Sequence, residues 1–148
     1  MPEPDRLPTP FRLPVRVYWE DTDAGGVVFY ANYLKFFERA RTEWLRSLGH
    51  EQEQMRADSG VVFIVTDTSL RYLRPARLDD LLQVTVDVRH AGRAQMTIAQ
   101  QAWRGPDELL TEGTIRIGCV DAGTFRPRRI PTAIVESFLP NSTSHIPG

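Results

Sequence analysis

The stretch from Val15 to Gly49, VRVYWEDTDAGGVVFYANYLKFFERARTEWLRSLG, constrains this chain more than any other part of it. It opens as an alternating strand, passes through an acidic and glycine-rich turn, and becomes a long amphipathic run without proline. Tyr33, Phe36, Phe37, Ala40, Trp44, Leu45 and Leu48 recur at helical spacing, while Lys35, Glu38, Arg39, Arg41, Glu43 and Arg46 fall on the other side. That pattern predicts a helix from Asn32 to Leu48, roughly 25 Å long at about 1.5 Å per residue, with one apolar stripe and one solvated face. Gly49 follows the last periodic residue and reads as a C-terminal stop, with Arg46 placed to suit the helix dipole.

Either side of this unit the pattern is that of strands. Residues 1–12 are proline-rich and polar and are expected to form a flexible arm. The first strand alternates Val15, Val17 and Trp19 with Arg16, Tyr18 and Glu20. After the helix, HEQEQMRADSG suits a short second helix ended by Gly60. VVFIVTDTSLRYL then reads as a long strand bounded by Pro75. In LLQVTVDVRH, Leu82, Val84, Val86 and Val88 alternate strictly with polar residues. Ala91 and Gly92 make a tight connection into AQMTIAQQAW, and RGPDE turns the chain into LLTEGTIRIGCVD. Strands joined so closely imply an antiparallel meander. PTAIVESF suggests a brief terminal helix with proline at its start. One domain over residues 13–139 is expected, with residues 140–148 as a flexible tail. A long helix laid across a strongly curved sheet is the simplest α+β arrangement that buries both apolar faces.

Composition narrows the function. A net charge of -1 leaves no electrostatic footprint for nucleic acid or an anionic membrane. The single cysteine, Cys119, excludes an intramolecular disulfide and a cysteine-based metal site, and its alternating apolar surroundings suit a small core residue. His50, His90 and His145 have neither metal nor triad spacing. The N-terminal MPEPDRLPTPF has no apolar core of a signal peptide or membrane anchor. A cytoplasmic protein with no metal, no cofactor and no membrane insertion is expected.

Chemistry is concentrated at Asp21, Thr22, Asp23, Ala24, Gly25 and Gly26. A calcium loop starting at Asp21 would need an acidic twelfth residue and a polar fifth one, but the chain has Asn32 and Gly25 there. Two readings remain open. The cluster serves as a turn, with aspartates bonding backbone amides and glycines supplying positive φ. Alternatively it is a catalytic loop, in which a carboxylate stands beside the unpaired N–H groups of a helix N-terminus able to polarise a carbonyl.

VYWEDTDAGGVVFYANYLKFFERARTEWL resembles the signature of hotdog-fold acyl-CoA thioesterases of the 4-hydroxybenzoyl-CoA thioesterase type, closest to the subgroup associated with the bacterial Tol-Pal system. The resemblance continues more weakly through RYLRPARLDDLL to RPRRIP. It implies a curved antiparallel β-sheet of about five strands wrapped around the central α-helix, a fold this order of elements suits. It also implies hydrolysis of an acyl-CoA, or of an acyl group on acyl carrier protein. Asp23 would be nucleophile or general base, and the Tyr30 backbone N–H would lie on the thioester carbonyl. The Tol-Pal subgroup typically has histidine where this chain has Tyr30, so a backbone donor is kept and an imidazole is not.

On the same resemblance, Gly26, Val27 and Asn32 are expected against the substrate. Arg89, His90 and Arg93 flank the turn where the family tends to hold the CoA phosphates, and Arg126, Arg128 and Arg129 form a second basic run. Such proteins pair their sheets into dimers, often tetramers, with the thioester in a tunnel between subunits. Asn32 and residues 62–66 are the positions expected to meet a partner. A rival class is a non-catalytic acyl-CoA or acyl-carrier binding module in a cell-envelope or lipid complex.

Overall fold

The computed structural model describes residues 10–138. The expected tail at 140–148 and most of the expected arm lie outside these. Strand β1 (Phe11–Arg16) leads through a 3-10 turn at Trp19–Asp21 and another at Tyr30–Asn32 into helix α1 (Tyr33–Ser47). Then come α2 (Gln52–Ser59), β2 (Val61–Tyr72), β3 (Leu81–Ala91), β4 (Gln95–Arg104), β5 (Glu108–Asp121) and α3 (Thr132–Phe138). The five strands form one antiparallel sheet in the order β1-β3-β4-β5-β2. The last three strands in sequence are the expected meander. Strand β2 stands on the far side of β5, and β1 on the far side of β3.

Helix α1 lies against one face of the sheet, and Phe36, Phe37 and Ala40 are completely buried there. They meet the alternating inward residues Leu82 and Val84 of β3 and Ile98 and Ala102 of β4, all completely buried. The helix ends as its sequence predicts. Gly49 has φ 92°, its N–H bonds to Arg46 O, and the His50 N–H reaches Leu45 O, the paired bonds of a glycine-terminated helix. Its start differs, because the chain makes a 3-10 turn first and the α-helix begins at Tyr33.

Three local expectations are corrected. Strand β1 begins at Phe11, inside the expected arm, and includes Pro14 opposite Gln83. Proline is tolerated because β1 is an edge strand with no neighbour needing that N–H. The same strand does not run on to Trp19. The Tyr18 N–H donates to Asp21 Oδ2 at 2.8 Å and the Asp21 N–H to Tyr18 O, so the chain closes on itself and Trp19 turns outward, 77% exposed. Third, Arg41 does not lie on a solvated face. It folds toward the sheet and donates to Gln100 Oε1 at 2.9 Å. Gln100 is completely buried, and its Nε2 donates to Phe37 O and Thr85 O.

Strands β2 and β5 pair Leu70 with Gly113 at close quarters. A Cβ on Gly113 would overlap Leu70 Cδ2 and lie 2.6 Å from the Ser69 carbonyl oxygen. Backbone cannot move aside as a side chain can. Gly113→Ala is therefore expected to cost about 1–3 kcal/mol, the range of overpacking in a dense interior. Urea denaturation measures it, and an unchanged midpoint would contradict this close approach.

Candidate active site

The loop between β1 and α1 is built as a small two-stranded ladder. Asp23 N–H donates to Val27 O and Phe29 N–H to Asp21 O, so residues 21–23 run antiparallel to 27–29. At its tip the Gly26 N–H returns to Asp23 O, and Gly26 has φ 80°, a conformation that favours glycine. A second loop supports the ladder from below. Val28 N–H donates to Ala76 O, Val27 bridges to Arg77, and Val17 exchanges bonds with Asp79 and Asp80. Arg104 fastens that supporting loop, donating to Asp80 Oδ2 at 2.7 Å and to Pro75 O at 3.1 Å while its other nitrogens grip Glu108. Hydrogen bonding to Arg104 in turn holds the Glu108 carboxyl below the usual carboxylate range.

The two aspartates have separate work. Asp21 is buried, and its Oδ1 accepts from Asn32 Nδ2 at 2.9 Å while Oδ2 accepts from the Tyr18 N–H. It ties the start of the loop to the start of the helix. Asp23 is exposed, and its Oδ1 accepts from the Gly25 N–H at 2.8 Å. Among the described residues, Asp23 Oδ2 has no donor and the carboxylate has no cation within 4.0 Å. One oxygen is thus oriented and the other is available.

Tyr30 opens the 3-10 turn that precedes α1. Its N–H and that of Ala31 have no acceptor among the described residues, because the first amides of a helical turn have no earlier carbonyl to reach. Tyr30 is 63% exposed, and its ring lies 4.8 Å from the Phe29 ring and meets Tyr72 edge-on at 6.0 Å. Beside it opens a cavity of about 260 Å³ lined by Val28, Tyr30, Tyr33, Tyr72, Arg74 and Pro75 among others. Burial raises the Tyr33 and Tyr72 phenols above their ordinary pKa, so both are neutral hydrogen-bonding groups. Tyr72 and Arg74 join this site from the far end of β2. Sequence reading passed over them, and their only signal was their place in the RYLRP stretch.

Gly26 and Val27 share the loop with Asp23, while Asn32 points inward to Asp21 and is 8% exposed. Arg89 leans on Asp87, with Nε 3.3 Å from Oδ2. His90 follows a bulge in β3 and is exposed, and Arg93 is exposed in the turn before β4. The second basic run comes to that turn, since the Ile130 N–H donates to Arg93 O at 2.9 Å. Arg128 is held by Asp121 at 2.8 Å, leaving Arg93, Arg126 and Arg129 as exposed cations near one end of the sheet.

Asn32→Ala would leave Asp21 Oδ1 buried without its donor. A loss of about 1–3 kcal/mol is expected, with a slower reaction because the loop start is freed from the helix start. Thermal melting and turnover of the variant check both parts. Unchanged stability would remove Asn32 from this role.

Residues 25–111 match the thioesterase superfamily. The chain is 42% identical over 130 residues to the acyl-CoA thioester hydrolase YbgC of Escherichia coli O157:H7, covering 88% of this chain and 96% of that one. It is 41% identical over 128 residues to the acyl-CoA thioesterase YbgC of Haemophilus influenzae, covering 86% and 93% of the two chains. A probable thioesterase from Bartonella henselae superposes with a TM-score of 0.78 at 31% identity, covering 83% of this chain and all of that one. The helix enclosed by a five-stranded antiparallel sheet is the hotdog fold, and by sequence and fold together this chain belongs to the thioesterase superfamily.

Proposed function

We propose that this protein hydrolyses acyl-CoA thioesters to free acid and CoA at the loop formed by Asp23 and Tyr30. One observation carries the reading: the Asp23 carboxylate in the ladder keeps an unbonded oxygen, and just past the ladder the Tyr30 amide keeps an unbonded N–H on a residue that lines a cavity. The thioester carbonyl oxygen accepts from Tyr30 N–H, with Ala31 N–H as a second donor. Negative charge gathers on that oxygen as the carbonyl carbon is attacked, which is where preorganised amides act most strongly. Asp23 takes a proton from water as the water oxygen bonds to carbon. Alternatively it attacks the carbon itself and the mixed anhydride is hydrolysed afterwards. In both routes the carbon–sulfur bond breaks and CoA leaves as the thiol.

The CoA phosphates are assigned to the basic end formed by Arg93, Arg126 and Arg129, with Arg89 and His90 flanking it. The Asp23 loop is exposed in the single chain, and β2 offers a long open edge with Ile64 and Val65 exposed. An unpaired edge of that kind is a template for a second chain. The reading therefore includes a dimer or tetramer in which a partner closes the acyl site. The buried free thiol of Cys119 suits a reducing cytoplasm. Resemblance to the Tol-Pal-associated subgroup supports a role beside that envelope system. Thiol release measured over acyl-CoA esters of graded length and aromaticity, and over the same acyl groups on acyl carrier protein, tests the reading. Binding of all esters without turnover of any would replace it with the non-catalytic acyl-binding module.

A further inference from the structure

We infer that Phe125 is the platform on which the adenine ring of CoA stacks, so that the protein selects CoA thioesters over the same acyl groups on pantetheine or acyl carrier protein. The assignment rests on the thioesterase reading, whose substrate carries that base. Phe125 stands just past β5 with φ 61°, in the left-handed region that strains a bulky side chain. The loop enforces that conformation. Phe125 N–H donates to Asp121 O at 2.8 Å and Asp121 N–H to Arg126 O at 2.8 Å, while Asp121 Oδ1 accepts from the Gly123 and Thr124 N–H groups. Packing does not offset the strain: Phe125 is 64% exposed, and no other ring or guanidinium among the described residues stacks on it. Backbone outliers of this kind concentrate where a ligand is held.

The surroundings of Phe125 specify the ligand. After it the chain runs beside β5 and the turn before β4, with the Arg128 N–H on Cys119 O and the Ile130 N–H on Arg93 O, both at 2.9 Å. Arg93, Arg126 and Arg129 therefore share one end of the sheet with Phe125. All three are exposed, and no carboxylate among the described residues lies within 4.0 Å of them. Asp121 is the only acidic residue between Gly113 and Val135, and none occurs between Val88 and Pro106. Arg128 already holds Asp121 at 2.8 Å. An open aromatic face beside such cations suits a purine joined to phosphates, with the base on the ring and the phosphate oxygens on the guanidinium groups. Only the nucleotide end of an acyl-CoA has both. Pantetheine on a carrier protein ends in a phosphodiester without a base.

A second chain brings this loop to the reacting end of the substrate. Tyr72, beside Tyr30, pairs with Thr111 of β5, whereas Asp121 pairs with Val61, ten positions further along β5 and so roughly 33 Å away at about 3.3 Å per residue. CoA extends on the order of 25 Å from sulfur to adenine, at the advance per bond of an extended chain. It does not join the two ends within one chain. Two chains paired antiparallel along their open β2 edges set the Val61 end of one beside the Tyr72 end of the other. Phe125 of each chain then serves the Asp23 site of the other.

Isothermal titration of the full chain with CoA, adenosine 3′,5′-bisphosphate and pantetheine tests the platform without any hydrolysis. CoA and the bisphosphate are expected to bind at least tenfold more tightly than pantetheine. Phe125→Gly should weaken both nucleotides about fivefold or more, the usual loss when one base loses its aromatic partner. It should also melt no lower than the parent, because glycine adopts φ 61° freely. Phe125→Asn, which tolerates the same conformation, should behave alike, and Phe125→Trp should keep the affinity. In turnover, Phe125→Gly should raise KM for an acyl-CoA while kcat holds, and should treat the matching acyl-pantetheine as the parent does. Nucleotide affinity unchanged in the glycine and asparagine variants, pantetheine bound as tightly as CoA, or an equal KM change with both esters would overturn the platform. Hydrolysis of acyl-pantetheine by the parent, and its loss in Asp23→Asn, reads the thioesterase chemistry separately, so failure at Phe125 leaves that reading standing.

Discussion

Asp23→Asn is expected to slow thiol release from acyl-CoA by about a hundredfold to ten-thousandfold, the usual contribution of a positioned base. The fold should be unaffected. Asn retains an oxygen to accept the Gly25 N–H, and the side chain is exposed, so little packing is removed. Only the charge and the capacity to take a proton or attack carbon are lost. CoA binding should stay near that of the parent, because the nucleotide end is assigned to arginines at another part of the sheet. Rate measurement with a thiol reagent, alongside circular dichroism and melting, separates chemistry from folding. Undiminished turnover in the variant would end the assignment of Asp23. A lost rate accompanied by a lower melting temperature would make the residue structural.

Phe37→Ala should produce the largest loss of stability among simple truncations of α1, about 3–5 kcal/mol. Phe37 is completely buried between helix and sheet, where removal of the ring leaves a hole that rigid strands cannot fill. At roughly 2–4 °C per kcal/mol for a domain of this size, the melting temperature should fall by on the order of 10 °C. Leu34→Ala on the same helix is a matched control. Leu34 is 45% exposed, and its truncation should change stability by about 0.5 kcal/mol or less. Equal effects at the two positions would mean that α1 does not occupy the core. Together the variants separate the helix as scaffold from the loop that it carries.

The aspartates illustrate how far residue type alone leads. DTD followed by two glycines marks a turn in any reading, and the resemblance to thioesterases singles out Asp23. Neither tells which carboxylate is buried. The answer depends on Asn32 and Tyr18, whose donors reach Asp21 only after the loop folds back onto the helix start. Arg93 and Ile130 are similar. Their contact joins two basic stretches that are far apart in sequence, and nothing in the local composition of either announces the other.

The sequence by itself determined the elements. The apolar stripe from Tyr33 to Leu45, the glycine stop at Gly49 and the period-two alternation of β3 are local properties, set by the pitch of a helix and the pleat of a strand. Short turns likewise determined the meander of β3, β4 and β5. Tertiary structure alone decided that β2 lies beyond β5, that Trp19 turns outward, that Arg41 turns inward to Gln100, and that Tyr72 meets Tyr30. These outcomes depend on which distant groups compete for the same backbone bonds and the same space. A long side chain such as arginine can put its charge on either side of a helix edge, so its direction is settled only when the opposing sheet is in place.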